Sequence, residues 1–207
     1  MKVKVCGITN LSDALICQSA GADALGFIFY PGSKRYISTE DASNLIKNLS
    51  PFIMKVGVFV NELPGRINSI ASKLKLNAVQ LHGDETPQTA FQIDYPVIKS
   101  FRITEQFDFS ILHDYKNVYY LLDAFSKSQY GGTGNQFNWK IIPADLKDKI
   151  ILAGGVSSDN IEDIFKKIKP AAIDLSSSLE LEPGIKDIEK VTEFFNKVNL
   201  LKNERNL

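Results

Sequence analysis

The sequence predicts a single-domain (β/α)8 barrel (a TIM barrel), an α/β fold in which eight parallel strands are each followed by a helical segment. Three observations predict it. Eight short apolar runs alternate with segments of helical period. Most of the runs are rich in Val, Ile, Leu or aromatics, and several are nearly continuous, the pattern of parallel strands covered on both faces. The runs recur at roughly 25 residues per unit, near the compact end of the range for this barrel. The competing open, doubly wound sheet is weakened by the lack of a G-x-G-x-x-G turn after the first strand.

The strands are read as Val3–Cys6, Ala24–Phe29, Lys55–Val60, Ala78–His82, Val97–Phe101, Val118–Asp123, Ile150–Ala153 and Ala172–Ser176. Between them, Ser12–Ala20 reads as an amphipathic helix, and Thr39–Leu49 carries Ala42, Leu45, Ile46 and Leu49 at helical spacing. Pro64–Leu74 opens with proline at the first helical position, where the missing N–H is no loss. Thr86-Pro87 marks another helix start. The segments after strands five and six, Glu105–Asp114 and Trp139–Leu146, read as short or irregular helices. Asp159–Ile168 has Asp159 and Glu162 at capping-box spacing. A last helix spans about Asp187–Leu201. Residues 1–201 therefore form one domain, and residues 202–207 a polar tail.

Composition narrows the class of function. The chain has 207 residues, 44% hydrophobic and 23% charged, enough for one substantial core. Its 24 basic residues balance its 24 acidic ones, so bulk charge selects neither nucleic acid nor an anionic membrane as partner. The N-terminal segment lacks the apolar core of a secretory signal, and no apolar run approaches the ~20 residues of a membrane span. Two cysteines, Cys6 and Cys17, without a C-x-x-C, fit a reducing cytoplasm. Oligomeric state stays open between monomer and homodimer.

In such a barrel the chemistry gathers at the C-terminal ends of the strands. Strand seven ends Ala153-Gly154-Gly155, and strand eight ends in Ser176 and Ser177. Each alone is a tight turn or a helix cap. Together, in adjacent loops on the active face, they read as a phosphate site: glycines admit the anion to backbone N–H groups, and serine hydroxyls add donors. A phosphorylated small molecule is the implied substrate.

Cys6 and Asp123 are the acid–base candidates. A lone cysteine is commonly an inert buried thiol, but this one ends a strand on the phosphate face. Asp123 closes the apolar run Tyr119-Tyr-Leu-Leu122, where a carboxylate is costly to desolvate without a partner or a purpose. Its plainer reading is a helix cap or salt bridge. Side-chain alternation places Lys4 on the same face as Cys6, inside the barrel, with Asp174 of the neighbouring strand eight as its first candidate partner. By the same rule Gln80 and His82 face one way, and His82 is either a structural group or a substrate contact. Arg35 is either a solvated loop residue or a bidentate clamp for a carboxylate. The glycine-rich stretch Gly131–Gly134 is a linker or a lid.

At these residues the sequence resembles the phosphoribosylanthranilate isomerase family. The resemblance is carried by Lys4-Val-Cys-Gly-Ile-Thr9, Leu25-Gly-Phe-Ile-Phe29, Ser33-Lys-Arg-Tyr36, Gly57-Val-Phe-Val60, Val79-Gln-Leu-His-Gly-Asp84, Leu122-Asp-Ala124, Gly131-Gly-Thr-Gly134 with Phe137 and Trp139, Leu152-Ala-Gly-Gly155 and Asp174-Leu-Ser-Ser177. It implies the third step from chorismate to tryptophan, an Amadori rearrangement that needs no cofactor and no metal. It also implies Asp123 as general acid, Cys6 as general base, Arg35 as holder of the anthranilate carboxylate, and Gly154, Gly155, Ser176 and Ser177 as the phosphate site. One departure stands out: the family's usual Ser-Ser-Gly-Val-Glu is here Ser176-Ser177-Ser178-Leu179-Glu180. A serine in place of that glycine is strained if the position needs positive φ, and otherwise offers one more donor.

Three other readings compete. A metal-dependent pentose-phosphate epimerase needs a set of His and Asp ligands, and this chain has only His82 and His113. The histidine-pathway isomerase runs the same chemistry with an aspartate where Cys6 stands. A non-catalytic phosphate-binding barrel has no need of Cys6 and Asp123 together.

Overall fold

The computed structural model describes residues 1–124 and 137–204. Eight parallel strands close into a barrel in sequence order: β1 (Lys2–Cys6), β2 (Ala24–Ile28), β3 (Met54–Phe59), β4 (Ala78–Leu81), β5 (Val97–Ile103), β6 (Val118–Ala124), β7 (Ile150–Leu152) and β8 (Ala172–Leu175). Closure is made by β1 and β8, with Lys4 in register with Asp174. Outside the barrel, β9 (Glu180–Glu182) and β10 (Ile185–Lys186) form a small antiparallel hairpin. The expectation of a (β/α)8 barrel holds, with several strand ends shifted by one or two residues.

Alternation along the strands divides the apolar residues into two clusters. The larger lies between strands and helices and includes Val3, Val5, Leu25, Phe27, Leu81, Phe194 and Phe195. The smaller fills the inside of the barrel with Ala24, Val56, Ala78, Ile98, Leu121 and Ala153. Beyond that plug the interior becomes polar, with Lys4, Gln80, Ser100, Asp123 and Asp174 buried.

The helices begin where local chemistry supplies caps. In α1 (Leu11–Ala20) the Asn10 side chain accepts from Asp13 N, and Gly21 ends the helix at φ 110°. In α2 (Thr39–Ile46) Ser38 caps Asp41 N. This helix stops three residues short of the expected Leu49 because its last turn tightens: Asn48 N and Leu49 N donate to Leu45 O and Ile46 O. α3 (Pro64–Leu74) matches its predicted limits. Thr86 caps the short α4 (Pro87–Phe91). The segments after β5 and β6 are 3-10 turns at Phe109–Asp114 and Trp139–Ile141, as irregular as expected.

The Asp159–Glu162 capping box is a correction. Asp159 N donates to Ser157 Oγ, and Asn160 Oδ1 receives Ser157 N. The helix starts later, as α5 (Ile161–Asp163), and widens into a π-helical turn over Ile164–Ile168. The last helix, α6 (Ile188–Glu204), is capped by Asp187 and runs three residues into the expected polar tail. The stretch Gly131–Gly134 lies outside the described residues.

Candidate active site

A cavity of about 690 Å³ opens at the C-terminal ends of the strands, and all eight expected site residues line it. They are Cys6, Arg35, His82, Asp123, Gly154, Gly155, Ser176 and Ser177.

Cys6 ends β1, and the chain turns away at Gly7 with φ 76°. Its space comes from Gly26 on β2: a Cβ there would lie 2.7 Å from Cys6 Sγ and 3.1 Å from Lys4 Nζ. Thiol and ammonium therefore share a niche that exists because Gly26 has no side chain. Lys4 Nζ reaches both oxygens of Asp174, at 2.9 and 2.8 Å, as the alternation along β1 leads one to expect. Burial lowers Lys4, but Asp174 and Cys6 outweigh it and hold the ammonium above its ordinary value. Burial pushes Asp174 up, with Lys4 opposing. The Cys6 thiol is also pushed up by burial; Lys4 and Lys186 draw it down without cancelling that cost.

Asp123 stands on β6. Its Oδ1 accepts from Ala124 N at 2.8 Å, and its Oδ2 lies 3.4 Å from His82 Nε2. Gly154 must be glycine twice over. Its φ is 74°, and a Cβ would fall 2.5 Å from Ala124 N and 2.8 Å from Asp123 Oδ1. The His82 Nδ1 lies 2.8 Å from Gln80 Nε2 and 2.7 Å from Ser100 Oγ. The ring turns Nδ1 to Gln80 and Ser100 and Nε2 to Asp123. His82 thus lines the cavity and at the same time faces the Asp123 carboxylate.

Arg35 is not a solvated loop residue. It is buried, and its Nε and Nη2 grip Glu180 at 2.7–3.1 Å. Nη1 is the corner of the guanidinium that this pairing does not use. In the loop after β7, Gly154 and Gly155 both have positive φ, and Asn160 Nδ2 braces the Gly155 carbonyl at 2.7 Å. Ser178 sits in the 3-10 turn Ser177–Leu179 without positive φ, so replacing the family's glycine brings no backbone strain. Its hydroxyl is buried and has no hydrogen-bond partner among the described residues.

Five contributors had no role assigned from sequence: Gly26, Ser100, Asn160, Glu180 and Lys186. Gly26 carries a readable signal, since register with Cys6 follows from adjacent parallel strands. Glu180 and Lys186 carry none, because their partners are set by a hairpin whose path no local period encodes. Among the described residues, no group of three or more His, Cys, Asp and Glu is placed to hold a metal ion, and no helix is long and apolar enough to cross a membrane.

Comparison with known proteins places this geometry. The family model of N-(5'-phosphoribosyl)anthranilate isomerase matches residues 3–197. A relative named N-(5'-phosphoribosyl)anthranilate isomerase, from Trichlorobacter lovleyi, is 46% identical over 94% of this chain and 96% of its own. A phosphoribosyl anthranilate isomerase solved with reduced 1-(o-carboxyphenylamino)-1-deoxyribulose 5-phosphate superposes with a TM-score of 0.85 at 39% identity, covering 96% and 98% of the two chains. A monomeric form of the dimeric Thermotoga maritima enzyme superposes with a TM-score of 0.85 at 38% identity, with the same coverage. With its barrel, its cavity and these likenesses in agreement, the chain belongs to the N-(5'-phosphoribosyl)anthranilate isomerase family.

Proposed function

We propose that this enzyme converts N-(5-phosphoribosyl)anthranilate to 1-(2-carboxyphenylamino)-1-deoxyribulose 5-phosphate in tryptophan biosynthesis, with Asp123 as general acid and Cys6 as general base. The observation that carries the reading is the shared cavity: thiol, carboxyl group and the Gly154–Gly155 and Ser176–Ser177 loops all open onto it. Protonated Asp123 gives its proton to the furanose ring oxygen as the C1–O bond breaks, leaving an iminium. The Cys6 thiolate then takes the C2 proton, giving an enolamine. A proton gained at C1 and one lost from the C2 hydroxyl complete the ketone. Exchange with solvent returns Asp123 and Cys6 to their starting forms, so no net proton is consumed. The loops hold the phosphate, and Arg35 offers its free corner to the anthranilate carboxylate.

Loss of substrate fluorescence tests this directly. The wild-type chain is expected to turn over, while Cys6→Ala and Asp123→Asn are each expected to lose about 10²–10⁴-fold in kcat. An inactive wild type overturns the assignment, and full activity in either variant removes that residue's proton role. The free thiols of Cys6 and Cys17 suit a cytoplasmic enzyme. The dimeric Thermotoga maritima relative makes a homodimer the assembly to check by sedimentation velocity.

A further inference from the structure

The hairpin β9–β10 belongs to no barrel unit, yet it is fastened to the barrel mouth at several points. Thr9 Oγ1 donates to Gly184 O at 2.5 Å, Lys186 N to Asp13 Oδ2 at 2.7 Å, and Lys190 Nζ to Glu180 O at 2.7 Å. The hairpin delivers two buried charges. The Glu180 carboxylate takes Arg35 on one side and Lys186 Nζ, at 2.8 Å, on the other. The same Lys186 ammonium, fully buried, donates to the main-chain carbonyl of Cys6 at 2.8 Å. Burial pushes Glu180 up, but Arg35 and Lys186 outweigh it, so the carboxylate is held below its ordinary value and stays charged.

Such a set of ions is not needed for stability. Well-packed apolar residues of similar volume commonly do as well or better. What these ions achieve is geometry. Arg35 is a long side chain lying across the Cys6–Gly7 turn, where its Cδ comes within 2.6 Å of the place a Gly7 Cβ would occupy. Released from Glu180, it would regain its rotamers and lose its aim. The carbonyl of Cys6 is likewise pinned from a site 180 residues away in sequence.

We propose that the hairpin is a positioning strap: Glu180 aims Arg35 at the carboxylate of the substrate, and Lys186 fixes the backbone that carries the Cys6 thiol. The Arg35 half rests on the isomerase reading above. Neither residue touches the reacting atoms, so both are positioning residues, and a small displacement at the reacting centre costs far more than the lost contact.

The test is steady-state kinetics of the full chain with N-(5-phosphoribosyl)anthranilate, joined to iodoacetamide labelling of Cys6 read by mass spectrometry across pH. Glu180→Gln is expected to raise KM about tenfold with kcat within about threefold, the mark of lost ground-state binding. Glu180→Asp, which keeps the charge, recovers part of that loss. Lys186→Met is expected to lower kcat about tenfold with KM little changed, and to move Cys6 labelling to higher pH because a nearby cation is gone. Variants with native circular dichroism, a lowered Tm, and KM, kcat and labelling all within about twofold of wild type would show a merely structural hairpin and overturn the proposal. If Glu180→Gln or Lys186→Met does not fold, Glu180→Asp and Lys186→Arg decide by the same readouts. An inactive wild type overturns the isomerase reading instead. The labelling arm needs no turnover, and an unshifted profile in Lys186→Met overturns the strap on its own.

Discussion

Cys6 works against its surroundings. The base role proposed for it needs the thiolate, and burial holds Cys6 above the ordinary thiol value of 9.0 even with Lys4 beside it. The free enzyme therefore carries mostly neutral thiol at pH 7. A raised pKa means that the active thiolate fraction grows with pH. We expect kcat/KM to climb with pH through the neutral range as the thiolate fraction grows. A pH profile already flat at pH 6 would contradict this. Gly26 is the residue-scale counterpart. Its Ala variant would put a methyl group 2.7 Å from Cys6 Sγ, and one of the two must move. Gly26→Ala is expected to lower kcat/KM about 100-fold while the barrel still forms, measured by kinetics beside circular dichroism. Cys17, pushed up to about 12 by burial, is expected to stay unlabelled by iodoacetamide at pH 8 in the native protein.

At the scale of elements, helix starts serve two ends. Thr86 caps α4 and touches nothing in the cavity, so Thr86→Ala should cost about 1 kcal/mol in urea unfolding and leave KM unchanged. Asn160 also sits at a helix start, but its side chain is turned to Ser157 N and Gly155 O. Asn160→Ala should therefore cost about 1–2 kcal/mol and also raise KM, because Gly155 loses its brace. Inorganic phosphate competition measures the second effect, and an unchanged inhibition constant would separate Asn160 from the proposed phosphate site. The same comparison shows where sequence reading stops. Asp159 and Glu162 had capping-box spacing, and the pattern was locally sound. The loop after β7 used Asn160 and Ser157 instead, because the carbonyl of Gly155 needed a donor that no local rule counts.

At the scale of the molecule, the barrel closes over a buried ion pair. Lys4 and Asp174 lie opposite each other on β1 and β8. Lys4→Met alone strands a buried carboxylate and is expected to cost about 3–5 kcal/mol in urea unfolding. Lys4→Met with Asp174→Leu removes both charges and should recover much of that loss. A double variant no more stable than the single one would mean that the pair itself closes the barrel.

Alternation and spacing in the sequence determined the barrel, its strand order, the inward face of β1 with Lys4 and Cys6, and the loops that carry Gly154, Gly155, Ser176 and Ser177. These follow from periods of two and 3.6 residues and from glycines at turns, which are local properties of the chain. The pairing of Lys4 with Asp174 was legible because closure brings first and last strands together. Only the tertiary structure decided that Arg35 is held by Glu180, 145 residues away, that Lys186 pins Cys6, and that His82 faces Asp123. Those contacts depend on the path of a hairpin outside the barrel and on how far side chains reach across its mouth. No local pattern encodes either, because both bring together residues far apart in the chain.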